Sequence, residues 1–212
     1  MNRILPIWKQ KGLSSFDVIR KVKSNFKNSK IGHCGTLDPF AEGILILCTG
    51  NKTKEVQNFM NFSKTYEAEI FLGAETDTLD LTGNIIKESN NRVDFSNMDS
   101  FLEDYNGLVM QSPPYYSALK INGVRLYSLA RNDIFIRKKP RPVNVENIEI
   151  LSINKNIVKL KIIVGKGFYV RSLAKDLASA LNTYGYLIKL TRLAIGKYDL
   201  NSTIEINSIK ND

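Results

Sequence analysis

Gly32-His33-Cys34-Gly35-Thr36-Leu37-Asp38-Pro39-Phe40-Ala41-Glu42-Gly43 holds the only histidine of the 212-residue chain, three glycines, and an aspartate directly before a proline. Pro39 turns Asp38 away from the helical region of backbone space and towards an extended conformation. Gly32, Gly35 and Gly43 permit tight turns or the close approach of another backbone. Such a segment suits neither a helix interior nor a strand interior. From the residues alone two readings stand: a solvated turn, which Asp and Pro favour for local reasons, and an ordered loop that presents a carboxylate.

The flanks of this stretch favour order. Gly43-Ile44-Leu45-Ile46-Leu47-Cys48 is a continuous apolar run and reads as a buried strand that anchors the loop. Upstream, residues 3–8 read as a short strand and Lys11-Gly12-Leu13-Ser14-Ser15 as a loop. Ser14 or Ser15 can cap the helix that the spacing of Phe16, Val18, Ile19 and Val22 predicts. Arg20, Lys21, Lys23, Lys27 and Lys30 give that helix a solvated basic face. Thr49-Gly50-Asn51 is a turn. The helix after it places Val56, Phe59 and Met60 on one face, with Lys52 and Lys54 near its start. Lys54 is either a phosphate contact or a solvated lysine.

Composition narrows the class of partner. Thirty Lys and Arg against 21 Asp and Glu give a formal charge of +9. This excess favours a polyanion, either nucleic acid or an anionic membrane surface. At 43% hydrophobic residues the chain can bury a core and is read as a single domain over 1–212. Cys34 and Cys48 are its only cysteines, and with one histidine they match no zinc spacing, so no metal is expected. The N-terminal apolar run is too short for a signal peptide and no stretch approaches the ~18 apolar residues of a spanning helix. A cytoplasmic protein with free thiols is the expectation.

Farther along, Lys64 to Leu72 alternates as a half-buried strand, and residues 73–83 form an acidic loop. Asp77 and Asp80 stand three apart without a supporting lysine motif, which argues against a metal or phosphoaspartate site. Ser96-Asn97-Met98-Asp99 resembles a capping box before a helix through Tyr105. Gln111 to Ser117 is extended by Pro113 and Pro114. Asn122-Gly123 signals a hairpin turn. Lys120, Arg125, Arg131, Arg137, Lys138, Lys139 and Arg141 face one acid, Asp133, between residues 120 and 141, with Tyr127 and Phe135 interleaved. This is the clearest nucleic-acid footprint in the chain. Val143–Ile153 and Ile157–Val164 read as paired strands. Phe168 to Leu181 leads into a helix with Leu173, Leu177 and Leu181 on one stripe. Arg171 near its start calls for a buried anionic partner or a snorkelling side chain. Tyr186 to Ile195 is a last strand, and the remaining residues read as polar and irregular.

Gly-His-x-Gly-x-Leu-Asp-Pro-x-Ala-x-Gly at 32–43 resembles the catalytic segment of the TruB-type tRNA pseudouridine synthases. The likeness continues in the family's order: Gly12-Leu13-Ser14-Ser15, then Lys64-Thr65-Tyr66, Leu72-Gly73 and Thr76-Asp77-Thr78-Leu79-Asp80. It resumes at Gln111-x-Pro113-Pro114-x-Tyr116-Ser117-Ala118-x-Lys120-x-x-Gly123, then Gly165-x-Gly167-x-Tyr169-x-Arg171-Ser172-Leu173-x-x-Asp176-Leu177, and ends at Arg192-Leu193. The resemblance implies an α+β fold with a mixed, largely antiparallel central sheet and flanking helices and loops. It carries a basic RNA-gripping insertion at about 117–141. It also implies isomerisation of the T-loop uridine at tRNA position 55 to pseudouridine, without cofactor or metal, after the base is flipped out of the folded RNA. The partner implied is the T-arm stem-loop of tRNA; no membrane is implied and a monomer is expected. A non-catalytic tRNA-folding factor using the same basic surface is the alternative.

The resemblance also assigns roles. Asp38 is the essential carboxylate, attacking sugar or base or removing a sugar proton. Tyr66 stacks on the target base, with a plain core tyrosine as its alternative. Arg171 pairs with the catalytic carboxylate. His33 helps extrude the target nucleotide. Asp80, Tyr169 and Leu193 line the pocket, while Lys54, Lys120 and the rest of the 120–141 segment grip phosphates. Two departures stand out. The family usually has Lys-Pro before the first motif's glycine, where this chain has Lys9-Gln10-Lys11-Gly12. Bacterial relatives usually carry a C-terminal RNA-binding (PUA-like) domain, whereas this sequence stops soon after Arg192-Leu193. A short form leaning more heavily on the 120–141 segment is therefore expected, with affinity falling steeply in salt.

Overall fold

Ser14 begins the local order. Its side chain accepts from the Asp17 N–H, and the Asp17 carboxylate accepts in return from the Ser14 N–H, closing a capping box that starts helix α1 (Ser15–Val22). The computed structural model describes residues 2–26, 29–121, 123–136 and 138–209. Lys27 of the expected basic face, Asn122 of the hairpin signal and Arg137 of the basic segment lie outside the described residues. The chain falls into two compact units, residues 1–67 with 190–212 and residues 68–189.

The first unit is built on strand β3 (Glu42–Thr49). Strand β1 (Ile4–Lys9) pairs antiparallel along one edge, Ile4 opposite Cys48 and Lys9 opposite Gly43. The other edge is shared. Strand β2 (Ile31–Cys34) pairs antiparallel with Ile46–Thr49, and the end of strand β12 (Gly185–Ile195) pairs parallel at Glu42 and Gly43. Both faces of β3 are covered, which explains its unbroken apolar run. Leu45 and Leu47 pack with Leu5, Ile7, Val18, Ile19 and Phe26. Ile44, Ile46 and Cys48 pack with Cys34, Phe59 and Ile195 on the opposite side. The Cys34 and Cys48 sulfurs are 3.6 Å apart as buried free thiols. Helix α2 (Val56–Asn61) supplies Phe59; Lys52 and Lys54 sit in the 3-10 turn Gly50–Glu55 that leads into it.

Two expectations fail in this unit. Phe16, placed by its spacing on the buried face of α1, is 61% exposed, while Val18, Ile19 and Val22 carry the burial. The C-terminal stretch is irregular as expected, with only short 3-10 turns, but it is not simply polar. Ile204 bridges Ile7 and donates from its N–H to the Pro6 carbonyl, and the Asn25 side chain donates to the Ile209 carbonyl. Ile204, Ile206 and Ile209 complete the β1–α1 core. Three isoleucines spaced too irregularly for helix or strand periodicity leave no such signal in the sequence.

Strand β4 (Lys64–Leu72) and β12 are neighbours in the strand order, and each contributes residues to both units. In the second unit strand β5 (Ala74–Thr76) pairs with β6 (Ile85–Glu88), a hairpin the acidic composition of residues 73–83 conceals. Helix α3 (Met98–Asp104) is followed by β7 (Gly107–Gln111). The expected capping box is absent there: Asn97 is the cap residue and makes no side-chain capping bond, while the Asp94 carboxylate takes the Ser96 N–H instead. The hairpin β8 (Lys120–Ile121) and β9 (Val124–Arg125) leads into the short helix α4 (Leu126–Ala130). Strand β10 (Arg141–Asn154) pairs antiparallel with β7 and with β11 (Ile157–Val164). Helix α5 (Val170–Ala180) buries Leu173 and Leu177 as its stripe predicts. The sheet is mixed and mostly antiparallel, and the fold is α+β, as the sequence implies.

Candidate active site

The Asp38 loop is held by its backbone. Ser15, buried at the start of α1, clamps Leu37 twice: its Oγ accepts from the Leu37 N–H (2.9 Å) and donates to the Leu37 carbonyl (3.2 Å). The Gly12 N–H donates to the Pro39 carbonyl at 2.7 Å, and the Ala41 N–H to the Asp38 carbonyl at 3.1 Å. Leu37 and Phe40 are buried on either side, leaving Asp38 half-buried between them. This is the ordered loop, not the solvated turn.

Two buried cations fix the loop's ends. The Arg192 guanidinium, 1% exposed, donates to the carbonyls of Ile44 (2.7 Å), Gly35 (3.2 Å) and Thr36 (3.4 Å). The Lys9 ammonium is fully buried and donates to the carbonyls of Ala41 (2.5 Å), Leu13 (2.7 Å) and Gln10 (3.2 Å). A buried charge is expensive unless its donors are met, and here oriented backbone dipoles meet them. Burial first, and then the nearby Arg192 charge, pull the Lys9 pKa down to about 8, while the Asp38 and Glu42 carboxylates pull it back up. Lys9 as a positioning residue escapes the sequence reading, because a lysine ending a short apolar strand looks like any solvated lysine. Its position in the Lys-x-x-Gly departure was the available signal.

His33 lies in β2 opposite Leu47 and is half-buried, its strand neighbour Cys34 facing the core. Leu193 follows Arg192 on β12 and Tyr66 is the third residue of β4; both are half-buried. Lys54 is exposed. Asp38, Leu193, Tyr66, His33 and Lys54 all belong to the first unit.

In the second unit the structure brings Arg171 and Asp80 together. The Arg171 guanidinium, 4% exposed, donates to the Thr78 carbonyl (3.0 Å) and the Tyr116 carbonyl (2.8 Å), and its Nη1 stands 3.8 Å from the Asp80 carboxylate. The other Asp80 oxygen takes the Thr82 N–H (2.9 Å) and the Thr78 and Thr82 hydroxyls. Leu79 between them sits at φ +61°, a left-handed backbone that a branched side chain adopts only when its surroundings impose it. The Leu187 N–H on its carbonyl and the Asp80–Leu187 bridge are part of that imposition.

Tyr169 is the N-cap residue directly before α5 and is gripped by Gln111. The Tyr169 N–H donates to Gln111 Oε1 (2.7 Å), and Gln111 Nε2 donates to the Tyr169 carbonyl (3.0 Å) and to the Tyr105 hydroxyl (3.2 Å). Tyr105 donates in turn to the Asp176 carboxylate at 2.6 Å. Burial pushes the Asp176 carboxyl above its ordinary range, with the Tyr105 hydrogen bond opposing, and burial with the Asp176 charge pushes the Tyr105 phenol up. Gln111 belongs to the quoted motif, yet nothing in the sequence says that it acts on Tyr169, 58 residues away.

Lys120 is exposed on β8 opposite Arg125. The guanidinium groups of Arg125 and Arg131 lie 5.8 and 5.6 Å from the Tyr127 ring centre, and Tyr115 packs edge-on against the exposed Phe135 at 5.4 Å. Arg141 stacks over the Tyr169 ring at 5.3 Å. Cations on aromatic faces are what the basic, aromatic-rich composition of 120–141 leads one to expect. Among the described residues no cluster of three or more His, Cys, Asp or Glu could hold a metal ion, and no helix is long and apolar enough to cross a membrane.

Comparison with known proteins places this arrangement in a class. A crystal structure of a Cbf5-Nop10-Gar1 complex superposes over 96% of this chain with a TM-score of 0.74, at 24% identity; the chain spans 52% of the length it matches there. That likeness establishes the fold. Residues 23–170 match the model for the TruB family pseudouridylate synthase N-terminal domain. The tRNA pseudouridine synthase B of Clostridium acetobutylicum is 40% identical over 209 residues, covering 99% of this chain and 72% of that protein. The protein of the same name from Ureaplasma urealyticum is 44% identical over 209 residues, covering 97% of this chain and 91% of its own length. The chain belongs to the TruB family of pseudouridylate synthases.

Proposed function

We propose that this protein converts the T-loop uridine at position 55 of tRNA to pseudouridine, with Asp38 as the reacting carboxylate. The observation that carries the proposal is the immobilised Asp38 loop: the side chains of Ser15, Lys9 and Arg192 hold its backbone at Leu37, Ala41 and Gly35. A carboxylate whose position is fixed from below can meet a reacting atom without a cost of ordering at that moment. The names of the relatives, tRNA pseudouridine synthase B, support tRNA as the substrate.

The reaction breaks the bond from base N1 to sugar C1′ and forms one from base C5 to the same carbon. The C5 proton leaves and N1 gains one, so no electrons are exchanged and no cofactor is called for. Asp38 acts on the sugar, on the base, or on a sugar proton. Tyr66 stacks on the uracil, His33 and Leu193 bind the extruded nucleotide, and Arg171, Asp80 and Tyr169 serve the same reaction. Lys54, Lys120 and the exposed Arg125 and Arg131 hold phosphates. The protein acts as a monomer in the cytoplasm.

Pseudouridine mapping of an unmodified tRNA transcript tests this reading. Wild type is expected to modify the T-loop uridine and Asp38→Asn to bind the transcript without modifying it. Binding without modification by the wild type would replace the isomerase by a tRNA-folding factor.

A further inference from the structure

Phe16 is the largest residue that the helical spacing assigns to the core and the structure leaves in solvent, 61% exposed. Single exposed hydrophobic residues are ordinary. Three features set this one apart. It directly follows Ser15, whose hydroxyl clamps both backbone groups of Leu37 beside Asp38. The Arg20 guanidinium lies 5.7 Å from its ring centre and is itself held by Asp17, which also closes the α1 capping box. Lys11, Lys21 and Lys23, near it in the sequence, are exposed, and Asp17 is the one acid between residues 11 and 23.

We infer that Phe16, with Arg20 alongside, is a stacking platform for an unpaired nucleobase of the substrate RNA, close in sequence to the uridine delivered to Asp38. The inference rests on the proposed tRNA activity. A flat ring in solvent, with the Arg20 cation alongside and directly after the serine that clamps the reacting loop, offers what a single-stranded nucleotide takes: a π face for the base and positive charge for the phosphate. Flipping one base out of a loop leaves its neighbours partly unstacked, and an exposed ring replaces the stacking they lose. The capping box fixes the first turn of α1, so the ring is presented without ordering a mobile segment.

Fluorescence anisotropy with a labelled T-arm stem-loop RNA at fixed salt tests it, using wild type, Phe16→Leu and Phe16→Trp. Each protein is titrated with the intact RNA and with RNAs carrying one abasic residue at each unpaired loop position other than the target. Phe16→Leu, which keeps apolar bulk and loses the π face, is expected to weaken binding about tenfold. Phe16→Trp is expected to retain wild-type binding. One abasic RNA is expected to weaken the wild type by a similar factor and Phe16→Leu no further. Equal binding of all RNAs by wild type and Phe16→Leu overturns the inference, as does an abasic penalty that is the same for both proteins at every position. Pseudouridine formation on the intact RNA is followed in parallel. Its absence with the coupling present removes the isomerase reading and keeps the platform; absence of RNA binding by wild type removes both.

Discussion

The backbone of Gly43 passes so close to that of Arg192 that a Cβ on Gly43 would lie 2.3 Å from the Arg192 carbonyl oxygen and 2.6 Å from its nitrogen. The contact is the parallel bridge between β3 and β12, and Gly43 makes it at φ +119°, where side chains are strained in any case. It brings the Arg192 side chain onto the Asp38 loop. Gly43→Ala is therefore expected to part the two strands and cost about 3 kcal/mol or more. In a chain of this size that lowers Tm by about 10 °C, measurable by calorimetry.

Lys9 gives a pH signature. Its pKa falls from an ordinary 10.5 to about 8 in the folded protein. Between these values the unfolded chain binds more protons than the folded one, so stability rises with pH across that window. Below about pH 8 the ammonium is charged in both states and the contribution is flat. Chemical denaturation of wild type and Lys9→Met from pH 7 to 10.5 is expected to show wild type gaining stability relative to the variant only above pH 8. Parallel curves would refute the depressed value.

Gln111 and Tyr105 form one chain of hydrogen bonds to Tyr169 and Asp176. Gln111→Ala removes three bonds in a site 1% exposed and is expected to cost about 2–4 kcal/mol in urea denaturation. Tyr105→Phe removes the donor to Asp176 and is expected to cost about 1–2 kcal/mol at neutral pH. The Asp176 carboxyl is raised in the folded state, so stability is lost as pH rises from 3.8 through its folded value. Losing the Tyr105 hydroxyl raises it further. The gap between wild type and Tyr105→Phe is expected to narrow as pH falls towards 4.

Arg171→Lys tests the fork. Arg171 meets the Thr78 and Tyr116 carbonyls from two separate nitrogens of a planar fork, which a lysine replaces with a single nitrogen on a shorter, flexible stem. A shift of about 1 Å in a positioning cation is expected to lower kcat on tRNA roughly 100-fold. Single-turnover kinetics with saturating enzyme separate this from weakened binding, and an unchanged rate would remove Arg171 from the proposed machinery.

Much of the fold is legible in the sequence because its signals are local. The apolar run at 43–48 buries both faces of β3, Ser14, one of the two expected caps, starts α1, and Leu173 and Leu177 line the buried stripe of α5. Where local signals mislead, a longer-range contact or a local alternative wins. Phe16 fits the helical period but faces solvent, and Ser96 gives its N–H to Asp94 instead of starting a helix.

The sequence by itself determined the family, the α+β class and the Asp38 motif, because motif spacing and side-chain period survive without coordinates. Only the tertiary structure decided that Lys9 and Arg192 are buried supports of the Asp38 loop, that Gln111 grips Tyr169, and that Ile204, Ile206 and Ile209 close a core. Each of these depends on a backbone carbonyl or an apolar face supplied by a distant segment. A lysine, an arginine or a glutamine has the same local signature whether water or a buried carbonyl takes its hydrogens.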